Sequence, residues 1–133
     1  CFGVRRLVCL VLEADIADPN LYDLPDYLAS ARSRFGDRVH LCEVVDYEAP
    51  GDDALFEGVV DAVDRGLSRG ELVLVHCGAG CGRAGVFSAC VLVKTGLDPF
   101  EAIELYRLHR GCGPESMDQV AYVVRYAERR RGR

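Results

Sequence analysis

The sequence lacks any apolar run long enough to span a bilayer, and no signal-peptide pattern opens it. It also lacks an excess of positive charge, since 16 Lys and Arg stand against 21 Asp and Glu, for a net charge of −5. These absences argue against a membrane-spanning protein and against nucleic acid as the main partner. No repeat, low-complexity block or linker divides the 133 residues. We therefore expect residues 1–133 to form a single domain around one core.

The seven cysteines are an odd number and are scattered through apolar segments. Such usage favours reduced thiols over a disulfide framework and predicts a cytoplasmic protein. Most of these side chains are expected to be buried as small hydrophobes. The first residue is Cys1 rather than Met, which leaves open whether the N-terminus is trimmed.

Short apolar runs alternate with segments of helical spacing along the whole chain. The runs indicate buried strands at 4–12, 38–45 and 71–75. Helices are predicted from Pro25 to Gly36, from Asp53 to Gly70, over 84–96, from Pro99 to Arg110 and from Met117 to Arg131. This alternation predicts an α/β fold, with a central, mainly parallel β-sheet flanked by helices on both faces. Ligands in such folds bind beyond the carboxyl ends of the strands.

The stretch "HCGAGCGRAG" follows the third predicted strand directly and leads into a predicted helix. Its glycines, Gly78, Gly80 and Gly82, permit positive φ and close approach, so that backbone N–H groups can converge on an anion at the start of the helix. Arg83 adds a planar fork that can hold two phosphate oxygens at once. Cys77 lies at the mouth of this loop, where a helix N-terminus and a cation favour a thiolate.

Three other interpretations fit this stretch less well. A Walker-type nucleotide loop ends in Gly-Lys-Ser/Thr, whereas Gly-Arg-Ala stands here. A zinc site is typically formed by Cys or Cys/His pairs separated by a few residues. Here His76 and Cys77 are adjacent in sequence, and Cys81 lies further on. A plain strand-to-helix turn explains the glycines but not the cysteine and arginine at this spacing. We therefore expect an anion site with no metal and no cofactor.

The same stretch resembles the signature H-C-x2-G-x2-R of the cysteine-dependent protein tyrosine phosphatase superfamily, and is most similar to the compact dual-specificity phosphatases. The resemblance implies a tyrosine-phosphatase-like fold and hydrolysis of phosphate monoesters through a phosphocysteine intermediate. It implies Cys77 as the nucleophile, Arg83 as a catalytic phosphate ligand and His76 as a residue that orients the loop. The implied phosphate cradle (residues 77–83) consists of Cys77, Gly78, Ala79, Gly80, Cys81, Gly82 and Arg83.

The resemblance further implies a general acid, an aspartate on a loop about thirty residues before the nucleophile, and such an acid contributes about 10² to 10⁴ in rate. Asp46 fits this position, after the second predicted strand. Asp52 and Asp53 are rivals, although Asp53 is better suited as the N-cap of the following helix. In "GPESMDQVAYVVRYAE", Gln119 is implied as the residue that positions the hydrolytic water. An exposed polar residue on a helix is the alternative for Gln119.

Ala84 departs from the superfamily pattern, in which Ser or Thr follows the arginine and its hydroxyl stabilises the cysteine thiolate as a leaving group. The missing hydroxyl predicts slower breakdown of the phosphoenzyme. Cys42 and Cys81 are candidate partners for Cys77 in a reversible disulfide, since a reactive thiolate is a natural oxidation target.

The expected activity is hydrolysis of phosphotyrosine, with phosphoserine and phosphothreonine as further candidates. The expected substrate is a phosphorylated protein or a small phosphomonoester, and the chain is expected to act as a monomer. The alternatives are a catalytically weak phosphate-binding module, sulfur transfer or arsenate reduction, and a phosphatase of phosphoinositide or RNA 5′-phosphate substrates. Gly78, Ala79 and Cys81 supply no lysine for inositol phosphates, and the acidic balance disfavours RNA.

Overall fold

The computed structural model describes residues 3–78 and 81–132. Three parallel strands form its sheet in the order β2-β1-β3. The strands are β1 (Val4–Cys9), β2 (Val39–Leu41) and β3 (Leu72–His76). Cys9 is in register with Leu41 on one side and with His76 on the other. All three carboxyl ends therefore meet at one edge, where the loops that carry the candidate site begin.

In the described part of the chain, six α-helices surround the sheet. They are α1 (Glu13–Ala17), α2 (Tyr27–Phe35), α3 (Asp53–Ser68), α4 (Gly82–Lys94), α5 (Pro99–Arg110) and α6 (Met117–Arg131), with a 3₁₀ turn at Gly36–Arg38. Helix α1 is absent from the sequence-based prediction, which extended the first strand to residue 12. The predicted N-cap Asp53 is also wrong, because Asp52 Oδ1 accepts from Leu55 N at 3.0 Å and caps α3. Among the described residues, no helix is long and apolar enough to cross a membrane.

Helices cover both faces of the sheet, which confirms the predicted α/β architecture. On one face Leu7 and its register partner Leu74 line a hollow together with Tyr27 and Ala31 of α2. On the other face the core is built around α4, whose side chains are buried nearly all round. Helices α3, α5 and α6 each pack against α4. Because α4 is packed on nearly all sides, the position of its first turn is fixed. This turn is also the end of the phosphate cradle.

Candidate active site

The phosphate cradle lies between the end of β3 and the start of α4. Cys77 follows the last strand residue, His76, and its thiol is buried and free. Helix α4 begins at Gly82, so that its N-terminal N–H groups and the positive end of its dipole face the cradle. The predicted cradle residues Ala79 and Gly80 lie outside the described residues. The cradle is therefore described from its two ends, Cys77 to Gly78 and Cys81 to Arg83.

Arg83 places a buried guanidinium beneath the beginning of the cradle. Its Nη1 donates to the Val44 carbonyl at 3.0 Å, and a Cβ added to Gly78 would lie 3.2 Å from its Nη2. Its Nε lies 3.6 Å from Asp46 Oδ1 and has no hydrogen-bond partner among the described residues. A buried cation with an unused donor costs free energy unless an anion satisfies it. The geometry therefore suits a bound phosphate oxygen.

The ring of His76 contacts Tyr27 at the end of β3. Its Nε2 lies 2.7 Å from Tyr27 Oη, and the two rings meet edge to face. Burial lowers the pKa of His76, and the positive charge of Arg83 lowers it further, although a hydrogen bond to the Cys77 backbone acts in the opposite direction. The imidazole is thus neutral at pH 7 with its contacts already made. Tyr27 is a site neighbour that the sequence did not reveal, since it lies 49 residues away.

Asp46 lies on the acid loop (residues 42–52), which connects β2 to α3. Its side chain is 62% exposed, with Oδ1 near Arg83 and accepting from Tyr47 N at 3.0 Å. Tyr47 has a φ of 64°, a left-handed conformation that is uncommon for a residue other than glycine. The rival aspartates have structural roles, because Asp52 caps α3 and Asp53 accepts from Tyr122 Oη at 3.0 Å. Asp46 is therefore the aspartate of the three that the structure places beside the cradle's arginine.

Gln119 is fully buried, so its alternative interpretation as an exposed polar residue is wrong. Its Oε1 accepts from Glu115 N at 2.8 Å and from Ser116 N at 3.2 Å, and its Nε2 donates to the Glu48 carbonyl at 3.2 Å. A Cβ added to Gly82 would lie 3.0 Å from Oε1. The amide therefore sits against the first residue of α4 and contacts the acid loop at the same time.

Cys81 forms a disulfide with Cys112, in the loop that precedes α6. The prediction of uniformly reduced thiols is therefore wrong for this pair, and Cys81 is not free to bond Cys77. Cys42 is buried and free, and burial raises its pKa to about 11. It is therefore a poor thiolate at neutral pH, which weakens its case as an exchange partner for Cys77.

Two recesses flank Cys77 along the edge of β3. One, of about 360 Å³, is lined mainly by apolar groups, including Ile16, Tyr22, Leu24 and Tyr27. The other, of about 720 Å³, includes Ala84, Ser88, Tyr106 and Arg110. A Cβ added to Gly78 would lie 2.5 Å from Tyr22 Oη, so Tyr22 lies directly against the start of the cradle. No sequence motif includes Tyr22, so its position at the site becomes evident only from the fold.

Similarity to known proteins identifies the family to which this fold and site belong. The model of the Swiss Army Knife DSP-PTPase phosphatase domain matches residues 1–123. The chain belongs to this family. The resemblance to the compact dual-specificity phosphatases is thereby confirmed, and the loops described above are those of a DSP-PTPase domain.

Individual relatives agree with the family assignment. The chain is 28% identical over 109 residues to a probable protein tyrosine phosphatase type IVA A of Dictyostelium discoideum, an alignment that covers 80% of this chain and 64% of that protein. It superposes on kinase-associated phosphatase with a TM-score of 0.83 at 20% identity, covering 99% of this chain and 73% of that one. Tk-PTP, in a mutant form, gives a TM-score of 0.81 at 25% identity, with 99% and 82% covered. The chain thus spans a little under two thirds of its Dictyostelium relative.

Proposed function

We propose that this DSP-PTPase domain is a cysteine-dependent phosphatase that hydrolyses phosphate monoesters. The observation that carries the proposal is the buried Arg83 guanidinium, whose Nε has no hydrogen-bond partner among the described residues. Its Nη2 lies against Gly78, the residue that follows the free thiol of Cys77. A phosphate dianion would satisfy this cation and the N–H groups at the start of α4. We propose that residues 1–133 form one catalytic domain that acts as a monomer.

The reaction proceeds in two displacements at phosphorus. The Cys77 thiolate attacks the phosphorus atom, the bond to the ester oxygen breaks, and Asp46 gives that oxygen a proton. Water then attacks the phosphocysteine and loses a proton to the Asp46 carboxylate, while the P–S bond breaks and returns the thiolate. Arg83 and the backbone N–H groups hold the non-bridging oxygens through both steps. No metal takes part in this scheme.

The substrate class follows from the surroundings of Cys77. The recess of about 360 Å³ has walls formed by aliphatic and aromatic side chains, which suit an aromatic leaving group better than a polar headgroup. We therefore propose phosphotyrosine as the main target, with phosphoserine and phosphothreonine as further candidates. The net charge of −5 supports a phosphoprotein over a nucleic acid.

We infer the cytoplasm as the compartment, because the nucleophile must stay a thiol and four of the described cysteines are free. Reversible disulfides do occur there, so the Cys81–Cys112 bond does not exclude it. Trapping thiols by alkylation in intact cells, followed by mass spectrometry, tests this inference. A protein recovered with Cys77 fully oxidised would contradict it.

The direct test is hydrolysis of para-nitrophenyl phosphate and of a phosphotyrosine peptide in the presence of EDTA. We expect turnover by the wild type, none by Cys77→Ser, and a loss of about 10² to 10⁴ in kcat/KM for Asp46→Ala. Arg83→Lys keeps the charge but loses the planar fork, and should cost about 10². Asp52→Asn is the matched control, since it changes an aspartate that caps α3 and should leave turnover within a few-fold.

Two outcomes would overturn the proposal. A wild type that binds vanadate but does not hydrolyse any substrate would be a phosphate-binding module. Activity that survives Cys77→Ser would exclude the phosphocysteine mechanism.

A further inference from the structure

Gln119 connects three parts of the candidate site through one side chain. Its carbonyl oxygen accepts hydrogen bonds from two backbone N–H groups in the turn before α6. Its amide nitrogen donates to the carbonyl of Glu48 in the acid loop. The side chain has no exposed surface. Glu48 lies 71 residues from Gln119 in sequence, so this contact is a tertiary tether and not a local turn.

The tether is one of two that bracket Asp46. On one side, Arg83 Nη1 donates to the carbonyl of Val44, two residues before Asp46. On the other side, Gln119 Nε2 donates to the carbonyl of Glu48, two residues after it. Between them Tyr47 holds the left-handed conformation that returns its N–H to the Asp46 carboxylate. The acid loop is therefore fixed to the cradle at one end and to α6 at the other.

The hydrogen-bond capacity of the amide limits what else Gln119 can do. A carbonyl oxygen has two lone pairs, and both are used by the Glu115 and Ser116 N–H groups. The oxygen has no lone pair left to accept a hydrogen bond from an attacking water. We propose that Gln119 is a positioning residue for the general acid: it holds Asp46 in place through Glu48, and its oxygen does not orient the hydrolytic water. This inference rests on the proposed phosphatase function.

The two roles act on different chemical steps. Proton donation by Asp46 matters most for a basic leaving group, such as the phenolate of phenyl phosphate, and little for the weakly basic 2,4-dinitrophenolate. Hydrolysis of the phosphoenzyme is the same for both substrates, because the leaving group has already departed. Dependence on the leaving group therefore separates acid positioning from water positioning.

Gln119→Glu is the informative variant. It keeps an oxygen for the two N–H groups of the α6 turn, but places a second oxygen against the Glu48 carbonyl and breaks the tether. We expect kcat/KM for phenyl phosphate to fall by about 10- to 100-fold, a fraction of the full value of a general acid, while kcat/KM for 2,4-dinitrophenyl phosphate changes by less than about threefold. In an Asp46→Ala background the same change should have no further effect, because a residue acting through Asp46 cannot add to its loss.

Ser116→Ala is the matched control. It removes the hydroxyl that caps α6 but leaves the Gln119–Glu48 hydrogen bond, and should lower thermal stability without altering the ratio of the two rates. Hydrogen exchange gives a readout independent of turnover: amides of residues 44–48 should exchange faster in Gln119→Glu than in Ser116→Ala. Equal losses of kcat/KM on both substrates, or full additivity with Asp46→Ala, would overturn the inference. If the wild type itself fails to hydrolyse either substrate, the phosphatase proposal falls and this one falls with it.

Discussion

Ala84 is the residue at which the chain departs from the superfamily pattern. It lies in the first turn of α4, buried, and lines the same recess as Cys77. A hydroxyl here could therefore be directed toward the sulfur through space that is not filled by other side chains. In the proposed mechanism, the thiolate that leaves during phosphoenzyme hydrolysis would therefore lack one hydrogen-bond donor.

Ala84→Ser is expected to accelerate phosphoenzyme breakdown by about 10- to 100-fold, which is the worth of one hydrogen bond to a charged group. Rapid-quench measurement of the leaving-group burst and of steady-state kcat checks this, since kcat should rise and the burst shrink. Ala84→Gly alters the size of the side chain without adding a hydroxyl and should not raise kcat. An unchanged burst in Ala84→Ser would show that the missing hydroxyl does not limit turnover.

Residues within the local motif were predictable, and residues brought in from a distance were not. Cys77 and Arg83 belong to a short signature whose spacing follows from the need to surround one phosphate. Tyr27 contacts His76 across 49 residues, and no periodicity encodes such a pair. Gln119 was singled out by resemblance, but its burial and its contact with Glu48 depend on how α6 docks against the acid loop.

At the scale of elements, the loop that joins α5 to α6 supports the far end of the cradle. Its Cys112 is bonded to Cys81, and a Cβ added to Gly113 would collide with the Cys81 backbone. Arg107 holds the loop from α5 by donating to the Gly113 and Pro114 carbonyls, at 3.3 and 2.9 Å. The disulfide thus fastens a cradle residue to a loop that is itself tied to a helix.

Cys112→Ser is expected to lower the free energy of unfolding by about 3 kcal/mol, because it removes a cross-link between residues 31 apart in sequence. It should also weaken vanadate binding, since Cys81 is then less firmly held. Urea unfolding and a vanadate titration measure both effects. Wild type treated with dithiothreitol should match the variant, and the variant should not respond to dithiothreitol. Equal stability of oxidised and reduced wild type would contradict a stabilising role for this bond.

Element types were predicted better than element ends or faces. The β2 strand ends at Leu41, four residues before its predicted end, because the chain leaves the sheet to form the acid loop. In α6 the apolar Met117 is 88% exposed, whereas Tyr122 and Tyr126 are buried. A helical pattern of apolar residues predicts the buried face of a helix only approximately. Here large tyrosine rings fill the space against α4 and its neighbours.

At the scale of the whole molecule, two neutral histidines are built into the sheet. His40 on β2 lies with Nε2 2.9 Å from Arg6 Nη1, which requires that this nitrogen accept and carry no proton. Burial lowers the pKa of His40, and the positive charge of Arg6 lowers it further, while Asp37 acts in the opposite direction. His76, at the end of β3, also has a lowered pKa, mainly because of its burial. Both imidazoles therefore bind protons more weakly in the folded chain than in the unfolded chain.

This difference makes stability depend on pH in a defined window. A histidine whose pKa is lowered by folding contributes its full stability above its unfolded pKa of about 6.5, and that contribution is lost as the pH falls toward the folded pKa. We expect the free energy of unfolding to be flat from pH 8 to 7 and then to fall, with a slope of at most about 1.4 kcal/mol per pH unit for each histidine. Urea unfolding at half-unit steps from pH 8 to 5 measures this slope. His40→Gln keeps an oxygen that can accept a hydrogen bond from Arg6 but does not titrate. The slope of the free energy of unfolding against pH should therefore decrease by the contribution of one histidine. A slope unchanged by His40→Gln would show that the acid sensitivity of the molecule arises from groups other than the His40–Arg6 pair.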